Sequence, residues 1–305
     1  MPRFVPLLLA AACHGPAMAL GLLAAFLPSA AAAQVPGTDI YLVPLRVDGH
    51  RARLGTPTNV TARPGYDNQP FFLPDGSGFL YTSIRDDGQA DIYRYDLATG
   101  TVTRLTETPE SEYSPTPIPE QTAFSVVRVE RDSTQRLWAF ELDGSHPRLL
   151  LANVAPVGYH AWTTGGAVAL FVLGTPPTLH VAYPDSGESR VVAEDIGRVL
   201  VGSADDPRLL FTVREGEGFA VHMLDLDGDY TARLVDTPGR DFFAWWQGVL
   251  FASDGTRLLT RHPGEDSTWM DAGDLAPYGV REITRLAVSP DGRWLAVVGE
   301  DAAGP

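Results

Sequence analysis

The side chains best suited to bind a ligand or transfer a proton recur along this sequence at or just before the starts of predicted strands. They comprise carboxylates, arginines, aromatic rings, an amide and one histidine. These residues are Asp67, Asn68, Glu112, Tyr113, Tyr159, His160, Arg240, Asp241, Phe242, Arg281 and Glu282. Aromatic surfaces that converge with a few polar groups are how small-molecule and peptide sites are usually built. If the fold brings these residues together, we expect a ligand-binding site.

The same residues leave two other kinds of chemistry open. Several carboxylates around one water-filled axis could hold Ca²⁺, a hard cation that prefers oxygen ligands. His160 and Glu112 could act as an acid–base pair if they lie within hydrogen-bonding reach of a substrate. The alternative to a binding function is therefore a metal-assisted lyase or hydrolase that acts on polysaccharide or peptide at the same site.

Motifs of the common catalytic classes are absent from the sequence. There is no Gly-x-Ser-x-Gly nucleophile elbow, and the closest string, 76–78, lies in a predicted hairpin turn. No His-Glu-x-x-His or paired Cys–His spacing marks a metal site. His180 and His222 occupy corresponding places in predicted strands, so we interpret them as structural. Three histidines fall in predicted turns, where we expect them to be solvated: His50, His146 and His262. We therefore predict no catalytic residue, no metal ligand and no cofactor.

The net charge and the N-terminal sequence limit the partners and the location that the protein can have. The formal net charge is −15, which disfavours nucleic acid because contacts with phosphate require basic patches. Arg3 precedes two apolar stretches, and Ala31 and Ala33 give the Ala-x-Ala pattern of signal-peptidase cleavage. We predict a signal peptide over 1–33, cut after Ala33, and a periplasmic or secreted protein with no membrane span after cleavage. Whether Cys13, the one cysteine, carries a lipid stays open.

Repeats predict the elements that position these residues. An alternating strand, a polar turn and an Arg–aliphatic pair recur about every 43 residues, with the arginines at Arg104, Arg148, Arg190 and Arg233. Between those copies lies a second phrase of strand, turn and strand, from "FFLPDGSGFLYTS" (71–83) to "LAVSPDGRWLAVVGE" (286–300). Pro-Asp-Gly is a turn former, because proline presets φ, aspartate bonds its own backbone and glycine accepts positive φ. Each unit is thus predicted to hold four short antiparallel strands.

Four-stranded units repeated at this period are the signature of a β-propeller. The chain begins, after a linker over 34–38, with half a unit (39–61) and ends with the other half (282–300) before a tail (301–305). We therefore predict an all-β, six-bladed propeller, a single domain over 39–300, closed by pairing N-terminal with C-terminal strands. A β-sandwich of two similar halves is the competing architecture, and the near-even spacing argues against it. Trp245 and Trp246 are predicted to face opposite neighbouring blades in the core.

The quoted repeats resemble those of TolB-like propellers, the bacterial relatives of WD-type repeats. "FFLPDGSGFLYTS…DIYRYDLATGTVTRLT" matches the family phrase nearly throughout, and "VSPDGRWLAVV" carries its turn. The resemblance implies an exported propeller. The predicted ring, the absent catalytic motifs and the polar and aromatic residues at the strand starts lead us to predict a monomer that binds a protein, peptide or cell-envelope ligand at the channel mouth without catalysis. The resemblance does not imply the TolB partnership, because TolB has an additional α/β domain before its propeller and this sequence leaves no room for one after the predicted cleavage site.

Overall fold

The computed structural model describes residues 37–203 and 205–300, and within them the regular structure consists of strands and two short 3₁₀ turns, Thr164–Gly166 and Ala276–Tyr278. The predicted signal peptide with Cys13, most of the linker and the tail lie outside the described residues. None of the described residues belongs to a helix that is long and apolar enough to span a bilayer.

Five groups of four antiparallel strands follow one another, each built by pairing consecutive strands, and we number them as sheets 1 to 5. Sheets 2 to 5 are separate, whereas sheet 1 is part of a nine-stranded sheet that also contains the terminal strands. Sheet 1 contains β4 (Tyr66–Phe72), β5 (Gly78–Ile84), β6 (Ala90–Asp96) and β7 (Val102–Arg104). Sheet 2 contains β8 (Ser111–Pro117), β9 (Ala123–Val129), β10 (Gln135–Glu141) and β11 (Arg148–Leu149). Sheet 3 contains β12 (Val157–Trp162), β13 (Val168–Val172), β14 (Thr178–Tyr183) and β15 (Glu188–Glu194). Sheet 4 contains β16 (Ile196–Ser203), β17 (Asp206–Glu215), β18 (Gly218–Asp225) and β19 (Tyr230–Asp236). Sheet 5 contains β20 (Ala244–Trp246), β21 (Val249–Asp254), β22 (Arg257–Arg261) and β23 (Met270–Asp274).

The first and last described strands form one further group, which we call the terminal sheet. Its strands are β24 (Ile283–Val288), β25 (Trp294–Glu300), β1 (Thr38–Asp48), β2 (Arg51–Leu54) and β3 (Thr58–Asn59). β1 pairs antiparallel with β25, in a register that runs from Thr38 opposite Glu300 to Pro44 opposite Trp294. A single parallel bridge between Thr38 and Tyr66 also joins the terminal sheet to sheet 1. The two ends of the described chain are therefore held by main-chain hydrogen bonds.

The hairpin turns form for the reason that the Pro-Asp-Gly pattern predicts. Asp75 accepts hydrogen bonds from the backbone N–H of Ser77 at 2.9 Å and from its hydroxyl at 2.7 Å, while Gly76 adopts a φ of 69°. In the second Pro-Asp-Gly turn, at 290–292, Asp291 accepts a hydrogen bond from the Arg293 backbone N–H at 3.0 Å. The hydrogen bonds of Ser77 hold the pKa of Asp75 below its ordinary value, so the carboxylate that fixes the turn stays charged.

Six apolar clusters fill the spaces between the sheets, and each cluster joins two of them. Buried members that two neighbouring sheets contribute to one cluster include Leu80 and Phe124 for sheets 1 and 2, Val127 and Leu170 for sheets 2 and 3, Phe171 and Phe211 for sheets 3 and 4, Leu210 and Leu250 for sheets 4 and 5, Phe251 and Leu295 for sheet 5 and the terminal sheet, and Val298 and Phe79 for the terminal sheet and sheet 1. Every sheet thus buries both faces, as a sheet between two neighbours must.

The tryptophan pair follows its prediction. Trp246 packs on the cluster between sheet 5 and the terminal sheet, and its indole N–H donates to the Pro290 carbonyl at 3.1 Å. Trp245 packs on the cluster between sheets 4 and 5. The two rings therefore contribute to packing between sheets.

Candidate functional site

Most neighbouring first strands of the sheets contact one another, and polar or aromatic side chains at or just before these strands interact electrostatically. Tyr66, Tyr113, Tyr159, Arg198 and Arg285 come from β4, β8, β12, β16 and β24, and Asp241 comes from the segment just before β20. We call these six residues the tyrosine–arginine cluster. Tyr66 lies within electrostatic range of the other two tyrosines and of both arginines, and Asp241 lies within range of both arginines.

Local irregularities in the first strands turn these side chains toward one another. The pairing register with the second strand shifts between Asn68 and Phe71 in β4 and between Tyr113 and Thr116 in β8. Gln69 and Ser114 at these bulges have φ values of 58° and 54°. The Gln69 side-chain oxygen accepts the Ser114 N–H at 2.8 Å, which ties sheet 1 to sheet 2. Bulges re-aim side chains in this way wherever strict alternation would point them elsewhere.

Arg198 and Asp241 form a two-pronged ion pair within the cluster. The Arg198 Nε and Nη2 atoms each donate to a different Asp241 oxygen at 2.8 Å, and the Arg198 backbone N–H adds a third bond at 3.0 Å. Burial by itself would raise the pKa of Asp241, but the hydrogen bonds and charge of Arg198 outweigh it and hold that pKa at about 2. The same pair raises the pKa of Arg198 above its ordinary value. The pair fastens β16 to the segment that enters sheet 5.

Asp241→Asn is expected to destabilise the fold at pH 7 by at most about 2 kcal/mol, which is the free energy that corresponds to lowering a carboxyl pKa from its ordinary value to about 2. Because the folded-state pKa is the lower one, this stabilisation is present above pH 4 and is lost as the pH falls toward 2. Urea unfolding of wild type and variant at pH 7 and pH 3 measures the effect. A difference in the free energy of unfolding between wild type and variant that is the same at both pH values would contradict this prediction.

Arg285 is the cluster's unneutralised cation. Its guanidinium carbon lies 4.6 Å from the centre of the Tyr159 ring, and within residues 37–203 and 205–300 it has no carboxylate within ion-pair distance. Burial raises the pKa of Tyr66, so that hydroxyl stays a protonated hydrogen-bond donor. Tyr66, Tyr159 and Arg285 are half-buried and Arg198 is exposed, so a ligand can reach them. The cluster can therefore offer a cation and phenol hydroxyls to a carboxylate, beside aromatic faces.

The other predicted carboxylates have arginine partners of their own. Arg63 donates to buried Asp67 at 2.8 Å, and Arg128 donates to buried Glu112 at 3.0 Å. Burial nevertheless raises the pKa of both acids above the ordinary range. Glu282 pairs with Arg240 at 2.8 Å. Among the described residues these acids do not come together with Asp241 in a group able to hold a cation.

His160 lies in a buried hydrogen-bond network rather than beside Glu112. Its Nε2 atom lies 2.6 Å from the Ser125 hydroxyl, which also accepts the Trp162 indole N–H at 2.9 Å and donates to the Thr116 carbonyl at 3.1 Å. Because the hydroxyl proton points at Thr116, the network fits the tautomer protonated on Nε2. Burial lowers the pKa of His160 to about 3, so the ring is neutral. Glu112 is also buried and bonds Thr108 and Arg128, so each member of the predicted acid–base pair lies in a hydrogen-bond network of its own.

The remaining predicted residues are distributed between core and surface. Phe242 is 3% exposed and packs in the cluster between sheet 5 and the terminal sheet. Asn68 is buried and bonds Thr38 and the Gln69 backbone. Arg281 is exposed. Of the predicted set, the structure brings together Tyr113, Tyr159 and Asp241.

Two arginines of the cluster, Arg198 and Arg285, were not among the residues predicted from the sequence. The structure places Arg198 in β16 and Arg285 in β24, each at the third position of its strand. No signal in the sequence alone pointed to them, because the position depends on where each strand begins.

Two histidines that were expected to be solvated are instead packed together. His50, in the β1–β2 turn, stacks on His262, at the end of β22, with ring centres 4.3 Å apart. Their side chains are 29% and 26% exposed. That expectation was therefore wrong for His50 and His262. It holds for His146, which is exposed.

Two surface grooves of about 510 and 530 Å³ lie away from the tyrosine–arginine cluster. Their walls come from sheets 2 and 3, at the turns after β8, β10 and β12. These turns are at the opposite ends of β8 and β12 from the start of the strand, where Tyr113 and Tyr159 lie.

No protein-family model matches the sequence. Among solved structures, the putative TolB from Agrobacterium tumefaciens is similar with a TM-score of 0.67 and 16% identity, over 87% of this chain and 99% of that one. TolB from Acinetobacter baumannii is similar with a TM-score of 0.58 and 16% identity, over 87% of this chain, which spans 65% of that protein. An oligogalacturonate lyase in complex with manganese is similar with a TM-score of 0.52 and 13% identity, over 83% of each chain. At these identities the comparisons establish the fold, which is a TolB-like β-propeller.

Proposed function

We propose that this chain is an exported, six-bladed β-propeller that binds a protein or peptide partner of the cell envelope, without catalysis, through the tyrosine–arginine cluster. The single observation that carries the proposal is Arg285, a half-buried cation stacked on Tyr159 without a carboxylate partner among the described residues. A buried or half-buried charge is costly unless it is paired, so a ligand carboxylate would complete the site.

The six-bladed ring is supported by the packing of the sheets. The six apolar clusters link sheet 1 to sheet 2 and so on through sheet 5 and the terminal sheet back to sheet 1. The β1–β25 pairing supports the proposed closure, because it combines an N-terminal and two C-terminal strands in one sheet. In such a ring the first strands would surround the axis, and the cluster would lie at one mouth of the channel.

The chemistry of the cluster favours a peptide that carries a carboxylate, from an acidic side chain or a free C-terminus. Arginine binds carboxylates with two parallel hydrogen bonds, and tyrosine rings supply contact area at little entropic cost. Arg198 is already neutralised by Asp241, which leaves one net cation at the mouth. Nothing in this mode of binding requires a cofactor, Ca²⁺ or a second copy of the chain.

Catalysis at the same mouth is less well supported. The only histidine among the predicted residues, His160, is buried and bonded to Ser125, and its lowered pKa makes it a poor base at neutral pH. The likeness to a manganese-bound lyase is one of fold. The proposed export rests on the N-terminal sequence pattern and on the same kind of propeller occurring in TolB.

Tyr66→Ala combined with Arg285→Ala is expected to lower capture of the envelope partner at least tenfold, because loss of a charge-assisted hydrogen bond costs about 1.5–3 kcal/mol. The measurement is affinity capture from a cell-envelope extract by immobilised protein, quantified by mass spectrometry. Wild-type capture should also weaken with added salt, since an exposed arginine–carboxylate contact is screened.

The matched control is Tyr230→Ala combined with Arg293→Ala. These residues carry the same chemistry, but Tyr230 is 50% exposed on β19 and Arg293 lies in the β24–β25 turn with an 81% exposed side chain. The control should capture as wild type does. Equal capture by the cluster variant, with its fold intact by circular dichroism, would refute the proposed binding mouth.

A further inference from the structure

Two histidines and two carboxylates from opposite ends of the sequence meet at one edge of the fold. His50 lies in the β1–β2 turn of the terminal sheet, and His262, Glu265 and Asp266 lie at the start of the β22–β23 loop of sheet 5. The imidazole rings stack with an interplanar angle of 24°. Contact between sheet 5 and the terminal sheet continues beside them, where β2 packs against β23.

Both carboxylates face the rings. Glu265 places one oxygen 3.4 Å from His50 Nε2 and the other 4.0 Å from His262 Nδ1. Asp266 lies 3.9 Å from His50 Nδ1 through one oxygen, while its other oxygen accepts the His262 backbone N–H at 2.6 Å. One ligand atom each from His50, His262 and Glu265 lies within 4.8 Å of the other two.

The position of the His262 ring leaves one nitrogen without a partner. Its Nε2 atom lies against Gly248, where an added Cβ would be 2.9 Å away, so the glycine provides the space for the ring. Its Nδ1 atom is buried and has no hydrogen-bond partner among the described residues. A buried polar atom of this kind needs an explanation, and a bound ion is one of the standard ones.

We propose that His50, His262 and Glu265, with Asp266 beside them, bind one divalent transition-metal ion of the zinc class. Two imidazole nitrogens and a carboxylate are ligands that Zn²⁺ prefers, whereas Ca²⁺ and Mg²⁺ take oxygen. Zinc holds such ligands at about 2.0–2.2 Å, which sets tetrahedral ligand atoms roughly 3.3 Å apart. The His50–Glu265 pair already has this spacing, and the Glu265 side chain, 61% exposed, is free to adjust toward His262. Because an imidazole nitrogen binds a metal in the plane of its ring, the half-buried His50 ring must also rotate out of its stack on His262 when the ion binds.

The ion would cross-link the β1–β2 turn to sheet 5. It would therefore stabilise the position of the N-terminal strands, since a ligand that binds only the folded state raises its stability. The site is separate from the tyrosine–arginine cluster, because it lies on turns after β1 and β22 and includes no first strand. Whether this site binds a metal ion is therefore independent of the proposed function.

The test is titration of the metal-free full chain with ZnCl₂ by isothermal calorimetry after treatment with EDTA and dialysis. We expect one ion per chain, and a melting temperature raised by about 5 °C at a hundredfold excess over the dissociation constant. Co²⁺ at the same site should show the visible absorption of a low-symmetry nitrogen–oxygen complex.

His50→Ala and Glu265→Gln are each expected to weaken Zn²⁺ binding at least tenfold, and both positions are half-buried or exposed, so folding should survive. The matched control is His146→Ala, which removes an exposed histidine whose ring bonds only its neighbour Ser145 and should leave binding unchanged. Absence of stoichiometric Zn²⁺ binding by the wild type would overturn the proposal. So would binding that survives both His50→Ala and Glu265→Gln, or that is lost equally in His146→Ala.

Discussion

Acidification from pH 7 to pH 5 is expected to cost the folded state about 2 kcal/mol through His160 alone, and His160→Gln is expected to remove that part of the pH dependence. An unfolded chain gives its imidazole an ordinary pKa, and burial lowers the pKa of His160 to about 3 in the fold. At pH values between these two pKa values, the imidazole is protonated in the unfolded chain but stays neutral in the folded chain. The free energy of unfolding must therefore fall as the pH falls, by about 3 kcal/mol at pH 4.

Glutamine is the suitable replacement because its terminal amide can occupy the position of the ring Nε2 and still bond Ser125. The histidine has no charged partner in its network, so burial is the one cause of its lowered pKa. Urea unfolding at intervals from pH 7 to pH 4 gives the stability of wild type and variant. The quantity to follow is the free energy of unfolding of the wild type minus that of the variant. This difference should fall steadily with pH, and at low pH the variant should be the more stable protein.

The wild type must be compared with the variant at each pH, because buried carboxyl groups change the stability in the direction opposite to His160. Burial raises the pKa values of Asp67 and Glu112, so these carboxyls take up protons more readily in the fold and stabilise it as the pH falls. They contribute equally to wild type and His160→Gln. His146→Gln, at an exposed site, should keep the full wild-type slope. Parallel curves for wild type and His160→Gln would mean that the ring is protonated in the fold, contrary to its burial.

The repeat pattern predicted the strands because each strand is bounded by local chemistry. The arginines of the Arg–aliphatic phrases, such as Arg104 and Arg233, lie in fourth strands as expected. Sheet 5, which lacks that phrase, still forms four strands. Turn residues and period-2 alternation act over a few residues, and a single sequence contains that information in full.

The candidate site was predicted only in part, because its geometry depends on contacts that the sequence does not encode locally. Bulges in β4, β8 and β24 break the alternation beside the cluster, so counting from a turn does not tell which side chain points inward. Asp67 and Glu112 were expected to be available to a ligand, yet Asp67 pairs with Arg63, just before β4, and Glu112 pairs with Arg128 of its own sheet. The approach of His50 to His262 depends on how the terminal sheet packs on sheet 5, which no local pattern reports.

Val298→Asp is expected to abolish cooperative folding at room temperature. Val298 is fully buried in β25, pairs with Ile40 of β1 and belongs to the same apolar cluster as Phe79 of sheet 1. An unpaired carboxylate there costs several kcal/mol and also separates the strands that join the two ends of the chain. Since domains of this kind are stable by about 5–15 kcal/mol, a loss of this size removes most of the margin. Thermal melting by circular dichroism measures the effect.

The same substitution at an exposed strand position separates loss of ring closure from a general effect of charge. Val191 lies in β15 and is 53% exposed, so Val191→Asp should change stability by less than about 0.5 kcal/mol. Hydrogen exchange in sheet 3, far along the chain from β25, then distinguishes two kinds of fold. If Val298→Asp exposes the amides of β13, the β1–β25 pairing holds every blade in place, as a closed ring requires. If β13 stays protected while β1 and β25 exchange, the sheets are an open stack, and the cluster at the proposed channel mouth would lose the closure that aligns Arg285 with Tyr159.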